Sequence, residues 1–271
     1  MSAQTAIAVV MALASSTLTN IAYLREHDAA AALPALSLRR PLHSIETLLE
    51  DRSWLLGFGL ESAGFALYVG ALALAPLTLV QSVAAGGIGI LAFVSSRMSR
   101  RRLPPHEVAG VAISILGLVA LAVSLTRATG EGSGGSTARI LLWLGATTAA
   151  ALAVLAVSRG AVAQGIAGGL FFSIGDISVK VATQGGARTA FAIGVVAGYG
   201  LGTALLQIGY QKGGALTVAG LATLLTNALP IAAGTVVLGE PVPSGALGGV
   251  RILAFAAVTL GAILLARPER G

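Results

Sequence analysis

Nine stretches of this 271-residue chain are each apolar over about 20 residues, the length at which an α-helix crosses ~30 Å of hydrocarbon. They run over residues 5–25, 54–74, 77–96, 107–126, 139–158, 162–182, 190–210, 215–237 and 248–267. Short breaks divide them: Ala75-Pro76, Gly213-Gly214, and Gly239-Glu240-Pro241-Val242-Pro243. Only 10% of the residues are charged, against roughly 25% in an average globular chain. With a mean hydropathy of +0.87, the chain has too little polar surface to cover a soluble fold of this size. The expected fold is an all-α polytopic membrane protein with nine transmembrane helices.

Ala12-Leu13-Ala14 mimics a cleavage site in the first run, but the preceding residues carry no positive charge and the run continues to Leu24. A retained helix is therefore expected rather than a signal peptide. Residues 26–53 hold Arg39, Arg40, Glu46, Glu50, Asp51 and Arg52, too many charges for a span. Within them Leu42, Ile45, Leu48 and Leu49 follow Pro41 at helical spacing, which predicts a short interfacial helix in a cytoplasmic loop. Residues 127–137 are Gly/Ser-rich and read as an exposed linker between two halves.

Basic residues set the orientation. The loops on the side reached after the first helix hold 12 Lys and Arg, and the other side 5. The rich side is expected to be cytoplasmic, which places the N-terminus outside the cell membrane and the C-terminus inside. These arginines then anchor helices at lipid headgroups, and the net charge of +6 implies no nucleic-acid partner.

Shifting the sequence by 139 positions brings its halves into register. Leu77-Thr78 falls on Leu216-Thr217, Gly70 on Gly209, Pro104 on Pro243, and Gly110-Val111 on Gly249-Val250. At a larger offset Ser16-Thr-Leu-Thr-Asn20 meets Phe172-Ser-Ile-Gly-Asp176. The expected organisation is a four-helix repeat over 1–126, the linker, a linking helix over 138–159, and a second four-helix repeat over 160–271. Because one unpaired helix separates them, the two four-helix repeats are inverted, an arrangement typical of secondary transporters.

The stretch Gly64-Phe-Ala-Leu-Tyr-Val-Gly-Ala-Leu-Ala-Leu-Ala-Pro-Leu-Thr-Leu-Val-Gln81 resembles the drug/metabolite transporter (DMT) superfamily, EamA-like proteins. Leu216 through Gly239-Glu240-Pro241 is similar to that family's helix ending in a Gly-Glu pair, and Gly261-Ala-Ile-Leu-Leu also fits. Family members typically have ten helices as two inverted fives. Here residues 26–53 stand in place of the second, and the Gly-Glu slot of the first half carries Arg100-Arg101-Arg102. Nine helices with an Ala-Pro-Leu-x-Leu-Val turn look more like the NIPA-type magnesium transporter branch.

An ionisable side chain within a span is expensive and normally faces protein or water. Glu61 and Asp176 are the two clear acidic cases. Gly57, Gly64 and Tyr68 share the Glu61 face, and the 139 shift puts Gly200, Thr203 and Gln207 on the matching face of the seventh helix. Such faces line an aqueous cleft or pack helices together. Asp176 and Lys180 are spaced i, i+4, so they form a structural ion pair or a cation-releasing device. Asn20 occupies the place in the first helix related to Asp176. Gly86-Gly87-Ile-Gly89 in the third helix and Asn227 with Pro230 in the eighth predict paired helix interruptions, a pointer to a transport site. Gln81 adds a polar group to the third helix. Gly194, Gly198 and Gly202 read as a packing ridge. Gly198-Tyr199-Gly200 lacks the Thr-Val that precedes it in a potassium filter and sits inside a full apolar span.

The expected function is alternating-access transport of a small metabolite or drug-like solute, coupled to a proton held by Glu61 or Asp176. Asn20, Glu61, Tyr68, Gln81, Asp176, Thr203, Gln207 and Asn227 are the expected substrate-binding residues. The first alternative is magnesium or another divalent cation, since such ions take oxygen ligands from one or two carboxylates plus water; a non-transporting membrane scaffold is the second. No enzymatic activity is expected. With no cysteine, and His27, His43 and His106 outside the apolar runs, no thiolate or histidine cluster is available, and no phosphate loop occurs. No cofactor is therefore implied. The expected partners are the lipid bilayer and a small-molecule or ion substrate, with a homodimer the assembly to test.

Overall fold

The computed structural model describes residues 3–75, 80, 83–84, 104–125, 134–239 and 245–265. Among them nine α-helices occur and no strand. They are α1 (Ala3–Ala32), α2 (Pro41–Glu50), α3 (Arg52–Leu74), α4 (Pro105–Leu125), α5 (Thr137–Val157), α6 (Ala161–Ala182), α7 (Ala192–Tyr210), α8 (Ala215–Val236) and α9 (Ala246–Leu265). A 3₁₀ turn over Gly186–Phe191 leads into α7. Six helices among the described residues are long and apolar enough to cross a membrane: α1, α3, α5, α6, α7 with its 3₁₀ turn, and α8. The chain is an all-helical, multi-pass membrane protein. Of the third expected span only residues 80, 83 and 84 are described, and its Gly86–Gly89 interruption and Gln81 lie outside the described residues.

α1 is longer than the first apolar run. It continues past Arg25 through Glu26, His27 and Asp28 to Ala32, residues assigned above to the loop over 26–53. The extra turns are held from outside. Gln211 Nε2 donates to the carbonyls of Ala30 (2.9 Å), Leu33 (3.2 Å) and Pro34 (3.0 Å), and its Oε1 accepts from Leu36 N at 2.9 Å. One amide from the end of α7 thus ties down the Ala30 carbonyl in the last turn of α1 and the Leu33 and Pro34 carbonyls just beyond it.

α3 begins at an N-cap, where the Asp51 carboxylate accepts from Trp54 N at 2.7 Å. It then runs antiparallel to α1 over a contact made by small residues. A Cβ on Gly57 would stand 2.8 Å from Glu26 Cγ, and one on Gly64 3.1 Å from the Ser15 carbonyl. Close approach of this kind is what glycine permits between membrane helices. α2 forms as the spacing after Pro41 predicts, with Leu42, Ile45 and Leu49 exposed on one side.

The centre of the bundle is α6. In its apolar stretch 89% of residues are buried, against 17% in α5, whose Leu142 and Val157 face outward. Gly165 and Gly169 of α6 meet the backbone of α8 at Val218 and Ala222, while Gly198 of α7 meets Gly175 and Phe171. The Gly194, Gly198, Gly202 ridge is therefore a packing surface against α6, as its spacing predicts. α4 packs on α9, and α5 lies outside α6.

α8 is continuous from Ala215 to Val236 through Asn227 and Pro230. The helix break predicted there does not occur. A proline removes one intrahelical bond, here to the Thr226 carbonyl, and a helix packed on its neighbours tolerates that loss. Of the Gly/Ser linker, residues 134–136 are described, and they are held rather than free. The Arg188 guanidinium donates to the carbonyls of Gly134 and Gly135, each at 2.7 Å, and to the Gln184 amide oxygen. Both glycines have positive φ, 75° and 64°, a backbone that presents successive carbonyls to one cation and suits glycine.

Candidate functional site

A cavity of about 330 Å³ lies between α1, α3, α6, α7 and α8. Six of the eight expected binding residues line it: Asn20, Glu61, Tyr68, Asp176, Thr203 and Asn227. They are spread over more than 200 positions of sequence, and the antiparallel packing of α1 on α3 and of α6 between α7 and α8 brings them to one place. Gln207 lies behind the cavity, not on its wall, and Gln81 is outside the described residues.

Asp176 is 4% exposed. Its Oδ1 accepts from the Tyr199 hydroxyl at 2.5 Å and its Oδ2 from the Thr226 hydroxyl at 2.6 Å. Two donors from two helices, α7 and α8, thus fix this carboxyl group, one on each oxygen. Tyr199 is placed in turn by its ring, edge-on to Phe65 at 4.8 Å between centroids and tilted on Phe172 at 5.9 Å. A Cβ on Gly175 would meet that ring at 2.8 Å, so the glycine next to Asp176 leaves room for the tyrosine that holds it.

Glu61 stands one helical turn beyond Gly57 on the face of α3 that meets α1. Its carboxyl group lies within hydrogen-bonding reach of Glu26, which is fully buried. Glu26 accepts from Gln207 Nε2 at 2.5 Å. A three-residue polar chain, Glu61–Glu26–Gln207, therefore runs from the cavity through α1 to α7.

Glu26, Tyr199 and Thr226 are functional candidates that the sequence reading missed. For Glu26 a signal exists: Ser16, Thr19, Asn20, Tyr23 and Glu26 recur every three or four residues, continuing the polar stripe of α1 past its last apolar turn. The hydroxyls of Tyr199 and Thr226 carry no such mark, because their role depends on which helix stands opposite.

Asn20 and Asn227 are each 3% exposed and held in the same manner. Asn20 Nδ2 donates to the Ser16 carbonyl at 2.7 Å, and Asn227 Nδ2 to the Thr223 carbonyl at 2.6 Å. Each amide is tied back to its own helix, one turn earlier. Aromatic rings fill much of the remaining wall, among them Tyr23, Phe58, Phe65 and Phe172. Among the described residues, no three His, Cys, Asp or Glu side chains converge as a ready metal cage.

No family model matches the chain, and no solved structure matches it. The chain is similar to the "Probable magnesium transporter NIPA9" of Arabidopsis thaliana. The two are 25% identical over 295 aligned positions, which take in 97% of this chain and 82% of that protein.

Proposed function

We propose that this protein is a secondary transporter that moves a small cation, magnesium, across the cell membrane by alternating access through the cavity described above. The observation that carries the reading is the meeting of Glu61 and Asp176, from opposite halves of the chain, at one cavity. Its similarity along nearly its whole length to a probable magnesium transporter gives that acidic pair its substrate. Magnesium is taken by one or two carboxylates and keeps several of its waters. A cavity of about 330 Å³ has room for such a hydrated ion, since a water occupies about 30 Å³ in the liquid. Glu61 and Asp176 are also where a coupling proton would reside.

The inverted-repeat reading has support of its own. α1 packs on α3 as α6 packs on α7, the first two helices of each unit, and α4 packs on α9, the last of each. Asn20 and Asp176, at corresponding places of the two units, face the same cavity. In the membrane the N-terminus lies outside and the C-terminus in the cytoplasm, with α2 along the inner headgroups.

The aromatic lining favours one other reading, an organic cation held over the rings of Tyr23, Phe65 and Tyr199, since cation–π attraction suits a dehydrated ammonium. Purified protein in liposomes loaded with a magnesium-sensitive dye separates the two, with and without an imposed pH gradient. Magnesium entry above that of empty liposomes is expected, and tetramethylammonium outside should leave it unchanged. Folded protein that passes tetramethylammonium and no magnesium would reverse the assignment. Folded protein that passes neither would leave a membrane scaffold.

A further inference from the structure

Tyr199 touches both halves of the chain at once. Its hydroxyl donates to Asp176 Oδ1 at 2.5 Å, on α6 of the second half. Its ring stands edge-on to Phe65, on α3 of the first half, at 4.8 Å between centroids and 66° between planes. α3 packs on α1 and α7 on α6, so this ring pair joins one half to the other. Both rings line the cavity together with Asp176 and Thr226. They belong to one apolar cluster with Tyr68, Val179 and Val195, and within it Tyr199 carries the polar link to Asp176. α6 backs the Tyr199 ring at Gly175, where an added Cβ would stand 2.8 Å from it. A ring that loses its hold on Asp176 therefore moves off α6 and changes its contact with Phe65.

We infer that Tyr199 is the positioning residue that couples cation binding at Asp176 to the contact between the two halves. Its hydroxyl holds the ring on Phe65 while the carboxyl group is empty and lets go when the cation arrives. The inference rests on the cation reading given above and adds to it how occupancy of the site reaches the halves that alternating access must move. A phenol that donates to a carboxyl oxygen points its hydrogen, the positive end of the O–H bond, at that oxygen. A cation approaching Asp176 Oδ1 repels that hydrogen, and the tyrosine oxygen loses the bond that sets its place. The bond exists only without the ion, so the ion favours the released arrangement over the held one, as a ligand-driven shift requires. Thr226 provides the internal control. Its hydroxyl donates to Asp176 Oδ2 at 2.6 Å, but its short side chain has no ring to carry a change across to α3.

The test is magnesium entry into dye-loaded proteoliposomes over a range of external magnesium, for wild type, Tyr199→Phe, Phe65→Leu and Thr226→Val, each checked for folding by thermal melting. Tyr199→Phe keeps the ring on Phe65 and removes the hydroxyl that competes with the ion. Its half-saturating magnesium concentration should fall about three-fold or more, and its maximal rate about five-fold or more, because the ring no longer responds to the ion. Phe65→Leu leaves both Asp176 bonds in place. Its half-saturating concentration should stay within about two-fold of wild type while its maximal rate falls about five-fold or more. Thr226→Val should lower the half-saturating concentration and keep the maximal rate within about two-fold. Wild-type maximal rates in Tyr199→Phe and Phe65→Leu would overturn the inference and leave the cation reading standing. A higher half-saturating concentration in Tyr199→Phe would make the hydroxyl a ligand of the ion and overturn it equally. So would a maximal rate that falls as far in Thr226→Val as in Tyr199→Phe. Should Tyr199→Phe not fold, Phe65→Leu decides alone. Wild type that passes no magnesium would instead remove the cation reading, and the inference with it.

Discussion

Tyr199 and Thr226 grip Asp176 from two helices, so the position of this carboxyl group depends on two hydroxyls, one on each of its oxygens. Tyr199→Phe keeps the ring against Phe65 and removes one donor from a buried carboxylate, a loss of about 1.5–3 kcal/mol. In an Asp176→Asn background the same change should cost less than half as much, which a double-mutant cycle of thermal melts measures directly. Equal costs in both backgrounds would mean that the tyrosine acts by packing alone. Gln207 makes a parallel case. Gln207→Leu strands the Glu26 carboxyl without its donor and should destabilise by about 2 kcal/mol or more. Glu26→Gln retains a side-chain oxygen for Gln207 and should unfold within about 1 kcal/mol of wild type. At this scale the sequence marks charged and amide groups within apolar runs, which is why Glu61, Asp176, Asn20 and Asn227 were legible. It does not mark their hydroxyl partners, whose spacing within their own helices is unremarked.

At the scale of helices, glycine position decides what substitution does. Gly198 and Gly200 are two residues apart on α7 and face opposite ways. A Cβ on Gly198 would lie 2.5 Å from Gly175 N and 2.7 Å from the Phe171 carbonyl, backbone that cannot give way locally, while nothing stands within 4 Å of one on Gly200. Gly198→Ala should thus separate α6 from α7 and destabilise by about 1–3 kcal/mol. Gly200→Ala should be neutral or stabilise by up to about 1 kcal/mol through helix propensity. Melting temperatures of the two variants side by side check the contrast. The helix spacing of the ridge was readable in advance; α1 was not, because its last turns are polar and depend on Gln211, 175 residues away from Leu36 in sequence. The predicted break at Pro230 failed for a related reason: a single lost backbone bond is weak against the packing of a helix buried along most of its length.

The whole molecule places α2 and the α6–α7 connection on opposite sides of the membrane in the orientation proposed here. The chain contains no cysteine, so single replacements report position without further engineering. Glu46→Cys in α2 should react with a membrane-impermeant thiol reagent only after the cytoplasmic face is opened. Thr189→Cys in the 3₁₀ turn should react from outside in intact cells. The reverse pattern would invert the topology and leave the fold as described. The nine apolar runs showed the class of molecule at once, because length and hydropathy act locally. Which faces meet depends on close approach of glycines spread along the chain, such as Gly57, Gly165 and Gly198, and a diffuse apolar sequence records that poorly. The claim that joins these scales is that carboxylates from both halves act on one cation in one cavity. Magnesium entry into dye-loaded proteoliposomes should proceed with wild type, fall at least ten-fold in Glu61→Gln and in Asp176→Asn, and stop in the double variant, all three remaining folded. Wild-type entry in the double variant would contradict the account.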